Sequence, residues 1–136
     1  MSTPITDLAD LLQSMQPTLQ PGVYVFASLP PDTDLRPLSP LGTFREAEGI
    51  TVIVLEEVAL RAGLTILFRS AWIALTVHSD LLAVGLTAAV ATALTQARIP
   101  CNIVAGAFHD HLFVPVESGP AALAVLNALQ QPHTRP

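Results

Sequence analysis

His109-Asp110-His111 sets two imidazoles on either side of a carboxylate, the residue types of a metal site or an acid–base pair. Structural zinc asks for four ligands and catalytic zinc for three, held at defined spacing. The remaining histidines are His78 and His133, the latter in the tail, so the ligand set is incomplete and no metal is assigned. If the tripeptide is extended, His109 and His111 share one side and Asp110 faces the other. If it forms a hairpin turn, Asp110 is simply a good turn residue. One histidine is then expected to bond across the hairpin or to line a pocket between units.

A second candidate is the turn that runs from Ser79 and Asp80 through Val84 and Gly85 to Leu86. A helix beginning near Gly85 leaves the N–H groups of Leu86, Thr87 and Ala88 unpaired and partially positive. Glycine permits close backbone approach, so a carboxylate could rest on those donors as anions do at helix N-termini. Asp80 is placed to hold an ammonium group, and together the two would read an amino-acid zwitterion. The plainer alternative is that Ser79 and Asp80 only cap a turn. Asn102 offers both donors and an acceptor, or merely caps a strand. Cys101 reads as a small buried apolar residue, since a nucleophile needs a nearby base and a lowered pKa. No G-x-S-x-G, P-loop or G-x-G-x-x-G occurs, so the usual nucleophile and phosphate signatures are missing.

The elements that must carry these residues follow from composition and periodicity. The chain has 136 residues, 51% of them hydrophobic and 12% charged, with a net charge of −5. That composition folds, and one core or two small halves sharing one is expected. Six Lys and Arg without a cluster exclude a nucleic-acid footprint. Mean hydropathy is +0.53, yet the longest uncharged run, residues 81–97, is short for a bilayer and holds three threonines. No membrane span is expected, nor a secretory signal in MSTPITDLADLL, where no basic region precedes an apolar one. A lone cysteine suits a reducing cytoplasm.

Leu8, Leu11, Leu12 and Met15 mark one face of a short helix, with Thr6 as cap and Pro17 as stop. Residues 23–29 predict a strand, residues 30–40 an irregular proline loop, and residues 43–46 with 50–55 a hairpin. A brief helix over 56–62 stops at Gly63, and residues 65–68 begin another strand. Glu46, Glu48, Glu56 and Glu57 scatter over a solvated face. From Trp72 the order is β-α-β-β-α: a strand over 72–79, a helix from Leu86 to about Ile99, strands over 102–107 and 112–116, and a helix capped by Ser118. In the first helix Leu86, Val90, Ala93, Leu94 and Ala97 form the expected buried stripe. In the last, Ala122, Leu126 and Leu129 point inward. This is a ferredoxin-like plan without its fourth strand. The open edge needs cover from a strand such as 23–29 or from a second subunit.

Residues 72–129 resemble small bacterial ACT-domain proteins through VHS (77–79), AVGLTAAV (83–90), CN-VAG (101–106) and HDH-FVP (109–115). The first half is matched more loosely, by VYVFASL (23–29) and FREAEGITVIV (44–54). The pair is similar to the tandem ACT regions of aspartokinases. The chain departs from the family at its proline loop and at Ala107, where an aromatic residue is more usual. The resemblance implies an α+β, ferredoxin-like (βαββαβ) sandwich of two ACT-like halves packed together, divided as residues 1–70 and 71–136. It implies a non-catalytic regulatory protein that binds a small molecule, usually an amino acid, with no cofactor and no metal. In such proteins the turn at Ser79, Asp80, Val84, Gly85 and Leu86 meets the effector at the interface between units, and Asn102 begins the strand at that edge. His109, Asp110 and His111 complete the expected ligand-binding set. A cytoplasmic homodimer is expected. The competing class is a ligand-free dimerisation module, followed by an enzyme or metal protein built on the HDH segment.

Overall fold

The computed structural model describes residues 7–131. Helix α1 (Leu8–Gln13) opens on Asp7, whose carboxylate accepts the Asp10 N–H at 3.1 Å. Thr6, the expected cap, lies outside the described residues, as does the tail from Pro132. Pro17 is not the stop for this helix. It begins a strand, β1 (Pro17–Leu19), that the sequence did not disclose. Then come β2 (Tyr24–Leu29), a proline loop holding a 3-10 turn (Arg36–Leu38), β3 (Gly42–Arg45), β4 (Ile50–Leu55) and α2 (Glu56–Ala62). Gly63 ends α2 in the left-handed conformation, φ +68, as anticipated.

The second half carries β5 (Phe68–Leu75), α3 (Leu86–Gln96), β6 (Asn102–Ala105), β7 (Asp110–Pro115), a 3-10 turn (Val116–Ser118) and α4 (Gly119–Gln130). Four expectations change. In place of separate strands over 65–68 and 72–79 there is one, β5, which begins at Phe68 and ends at Leu75, so residues 65–67 precede it and Val77 to Ser79 belong to the following loop. α3 ends at Gln96, leaving Ala97 exposed and Ala93 half-buried. The β6–β7 turn occupies 106–109 rather than 108–111, which puts Asp110 and His111 on the strand. Ser118 closes a 3-10 turn, and its side chain caps nothing.

All pairings are antiparallel, in the order β3-β4-β2-β5-β7-β6. Along one side of β5, residues 68–70 pair with β2 and residues 73–75 pair with β1. The edge left open by the second unit is therefore closed by β1, while the expected strand, β2, lies beside the other end of β5. Each unit has four strands: β3-β4-β2-β5 and β6-β7-β5-β1. The two hairpins are internal counterparts, with β6 and β7 each lying 60 residues after β3 and β4. Residues 51–60 and 111–120 even share one sequence of buried, half-buried and exposed positions.

Strand alternation sends Ile73, Leu75, Leu112 and Val114 against α1, α3 and α4. On the same face of the sheet, Val25, Ala27, Val52 and Val54 pack on Ala59 of α2. Among the described residues no helix packs on the opposite face, yet Phe113, Ile53 and Ala74 on it are buried. There Leu41, Gly42 and Ile53 from one hairpin and Val104, His111 and Phe113 from the other line a single cavity. Phe26 meets Phe113 edge-on, with ring centroids 5.4 Å apart, and Tyr24 meets Trp72 at 5.2 Å. These edge-to-face contacts tie the units together. Among the described residues, no helix is long and apolar enough to cross a membrane.

Removing residues 1–19 strips Leu11, Met15 and Leu19 from the core and bares the backbone of residues 73–75. Each fully buried side chain contributes about 1.5–3 kcal/mol, and an open strand edge promotes association. The shortened chain is expected to melt earlier and to self-associate. Size-exclusion chromatography and a thermal melt check this, and an equally stable chain of unchanged assembly state would contradict it.

Candidate functional site

Gly85 is the N-cap of α3 with φ +105, a conformation that favours glycine. A Cβ there would also come tightly against the Leu8 side chain, at 3.1 Å. Glycine brings no capping group, so no side chain caps the first turn of α3, and its N–H groups keep their partial positive charge. Ahead of it, Asp80 organises the approach: its carboxylate accepts the Leu82 N–H at 2.8 Å, and its carbonyl accepts the Ala83 N–H at 2.9 Å. The turn-capping role is thus real, and Asp80 also faces a cavity.

That cavity, of about 90 Å³, is walled by Ser79, Asp80, Gly85, Leu86, Ala105 and Asp110, with Leu81, Ala83 and Thr87 completing it. Asp110 is the first residue of β7, fixed between Ala105 on β6 and Leu75 on β5. Alternation places it on the helix side with Leu112 and Val114, where it is only 8% exposed. The buried Ser79 hydroxyl donates to it at 3.3 Å. Its counterpart 60 residues earlier, in the first unit, is Ile50, an ordinary core residue. A carboxylate where the repeat calls for an apolar side chain costs stability unless something charged or polar answers it. Among the described residues, no basic side chain lines the cavity. It offers oxygen acceptors on the β7 side and the positive end of a helix on the other.

The remaining sequence candidates disperse. Val84 belongs to the turn but is 84% exposed and outside the cavity lining. Asn102 begins β6, exposed and opposite Phe113, also away from the lining. A ring nitrogen of His109 lies 3.5 Å from the Val77 carbonyl. His111 is on the other face of the sheet, where the Trp72 indole N–H donates to its Nδ1 at 3.1 Å. Asp110 and His111 therefore lie on opposite faces of β7, while His109 belongs to the turn before it rather than sharing an extended strand with them. Among the described residues, no three His, Cys, Asp or Glu side chains gather to hold a metal ion. Burial pushes the Cys101 thiol up to about 11, far from a ready thiolate. Sequence reasoning missed Ala105, which only the strand register brings to the cavity.

Against known proteins, the ACT domain matches twice, over residues 3–71 and 67–128, the two overlapping at the start of β5. A Vibrio cholerae protein of unknown function, described as a possible transport protein, shares 46% identity. Its structure superposes with a TM-score of 0.83, covering 91% of this chain and 96% of that one. An Agrobacterium tumefaciens protein superposes at 0.66 with 15% identity, over 88% of this chain and 95% of its own. The ligand-free regulatory subunit of aspartate kinase from Thermus thermophilus superposes at 0.63 with 14% identity, over 88% and 99%. These two are likenesses of fold. No curated protein matches the chain. With one match on each unit and no residue between 3 and 128 left outside them, the chain belongs to the ACT-domain family, in a tandem arrangement similar to the aspartokinase regulatory regions.

Proposed function

We propose that this chain is a non-catalytic, cytosolic regulatory protein that captures a small amino acid in the cavity between β7 and the start of α3. Asp110 carries the proposal, a buried carboxylate that replaces a core aliphatic residue and faces a cavity at a helix N-terminus. The ligand's ammonium group sits between Asp110 and Asp80, and its carboxylate rests on the N–H groups that Gly85 leaves uncapped. Ser79 keeps the Asp110 carboxylate oriented. The division into residues 1–70 and 71–136 then assigns this site to the second unit. The ACT-domain membership and the fold shared with an aspartate kinase regulatory subunit support the regulatory reading.

A second copy of the chain belongs to the same proposal. Beside the cavity, Leu81 and Leu82 are 66% and 87% exposed, and Val84 joins them. The adjacent strand β6 pairs only with β7, leaving its outer edge free. Three neighbouring aliphatic side chains in water next to an open edge mark a contact surface. Two copies meeting there cover the cavity, and capture of the ligand shifts their assembly. With the cavity empty, the same contact makes the protein a plain dimerisation module.

Three measurements separate these. A thermal-shift screen of the proteinogenic amino acids at millimolar concentration is expected to show stabilisation by at least one, about 2.7 kcal/mol at a hundredfold excess over Kd. The shift should vanish in Asp80→Ala, and a flat screen rejects amino-acid capture. Asp110→Ile, which copies the first unit, should raise unliganded stability by on the order of 1 kcal/mol while erasing the ligand response. An Asp110→Ile protein that still responds would remove Asp110 from the site. Leu82→Asp should lower the assembly state in native mass spectrometry without lowering the melting temperature of the isolated chain.

A further inference from the structure

The helix-free face holds one polar contact among its aromatic rings. The Trp72 indole N–H donates to His111 Nδ1 at 3.1 Å, with the rings 5.7 Å apart. Only an unprotonated Nδ1 accepts, so the neutral imidazole carries its proton on Nε2. Nε2 is turned to the β6–β7 turn, where a Cβ on Gly106 would approach it to 3.1 Å. The imidazole also completes the wall of the second cavity, about 90 Å³, whose far side is Leu41, Gly42 and Ile53 of the first unit. Trp72 in turn rests on Tyr24 of that unit. The pair thus sits on the seam where the two units close on each other.

No titratable side chain from another strand or helix meets this imidazole among the described residues. Trp72 and Ala74 meet it from β5, Val104 from β6, and Leu41, Gly42 and Ile53 from the first hairpin. Its charged or titratable neighbours are Asp110, on its own strand, and His109, in the turn before it. Burial, aided by His109 and opposed by Asp110, holds the imidazole below the ordinary histidine value.

We propose that Trp72 and His111 form a proton-operated latch on the seam between the units. The latch is closed while the imidazole is neutral. When Nδ1 takes a proton, two N–H groups face each other and the hydrogen bond is lost. The imidazolium, set against an apolar wall, must then turn to water, which frees Trp72 from Tyr24 and opens the cavity. Asp110 precedes His111 on β7 with its side chain on the opposite face, so a shift of this strand end reaches the other cavity too.

The sign of the pH dependence follows from the lowered value of the folded state. The unfolded chain binds the proton more readily, so stability is complete above the ordinary histidine range. It declines as pH falls below that range and levels off beneath the folded-state value.

The sole tryptophan makes the latch observable in the full chain. In a titration from about pH 8 to about pH 5, Trp72 emission and its indole N–H resonance should move together. Their midpoint should match that of the His111 imidazole nitrogens and fall below the ordinary histidine value. His111→Gln keeps an acceptor that does not titrate, so both signals should hold their alkaline values throughout. His109→Gln should keep the transition. In Trp72→Phe the His111 midpoint should rise, because the neutral form loses its hydrogen bond. A transition that persists in His111→Gln overturns the latch. So does an indole resonance that stays put while His111 titrates, or a midpoint unmoved in Trp72→Phe.

Discussion

One strand serves two units, and the rest of the molecule is arranged around that constraint. On one side, β5 gives its first residues to β2 and its last to β1. On the other it pairs with β7 along most of its length. Between the two partners the chain steps outward at Pro21-Gly22, where Gly22 adopts φ +94. Two hydrogen bonds bridge the step: the Gln20 N–H reaches the Trp72 carbonyl at 2.8 Å, and the buried Ser70 hydroxyl donates to the Tyr24 carbonyl at 2.7 Å. A slip of one residue in β5 would send Ile73 and Leu75 to the aromatic face and Trp72 toward the helices. Register is therefore specified from both faces at once, and each unit depends on the other's pairing.

The units share a plan and differ where chemistry is concentrated. Their hairpins correspond residue for residue, but an irregular proline loop follows β2 where α3 and its preceding turn follow β5. The first unit thus has no helix N-terminus at the matching place, and Ile50 occupies the position of Asp110. The second unit keeps the helix and buries an acid beside it. Repetition builds the sheet, and the departure from repetition builds the cavity.

Much of the architecture was legible because it obeys simple periodicities. Alternation in β5 assigned Ile73 and Leu75 to one face and Trp72 and Ala74 to the other, and Leu86, Val90 and Leu94 declared the buried stripe of α3. Gly63 announced the end of α2. β1 was hidden because three residues are too few to alternate, and Pro17 reads as a helix stop unless its partner 58 residues on is known. The turn of the second hairpin was ambiguous by two residues, and the role of Asp110 hung on that choice. The meeting of Asp80 and Asp110 was invisible, since one follows β5 and the other begins β7, and only their antiparallel pairing joins them.

The segment α1–β1 has a further consequence for how the protein is made. Synthesis releases it before its partners in β5 and in α4, where Gln130 donates to the Gln13 carbonyl at 3.1 Å. The first unit can assemble as soon as Phe68 to Ser70 emerge, because β2, β3 and β4 are already present. The second cannot seal its edge until β5 returns to residues made more than fifty positions earlier. Such a long-range closure is slow compared with local hairpin formation. The N-terminal segment is thus the natural last piece to dock, and until it does the nascent chain carries an exposed strand edge that a chaperone would recognise.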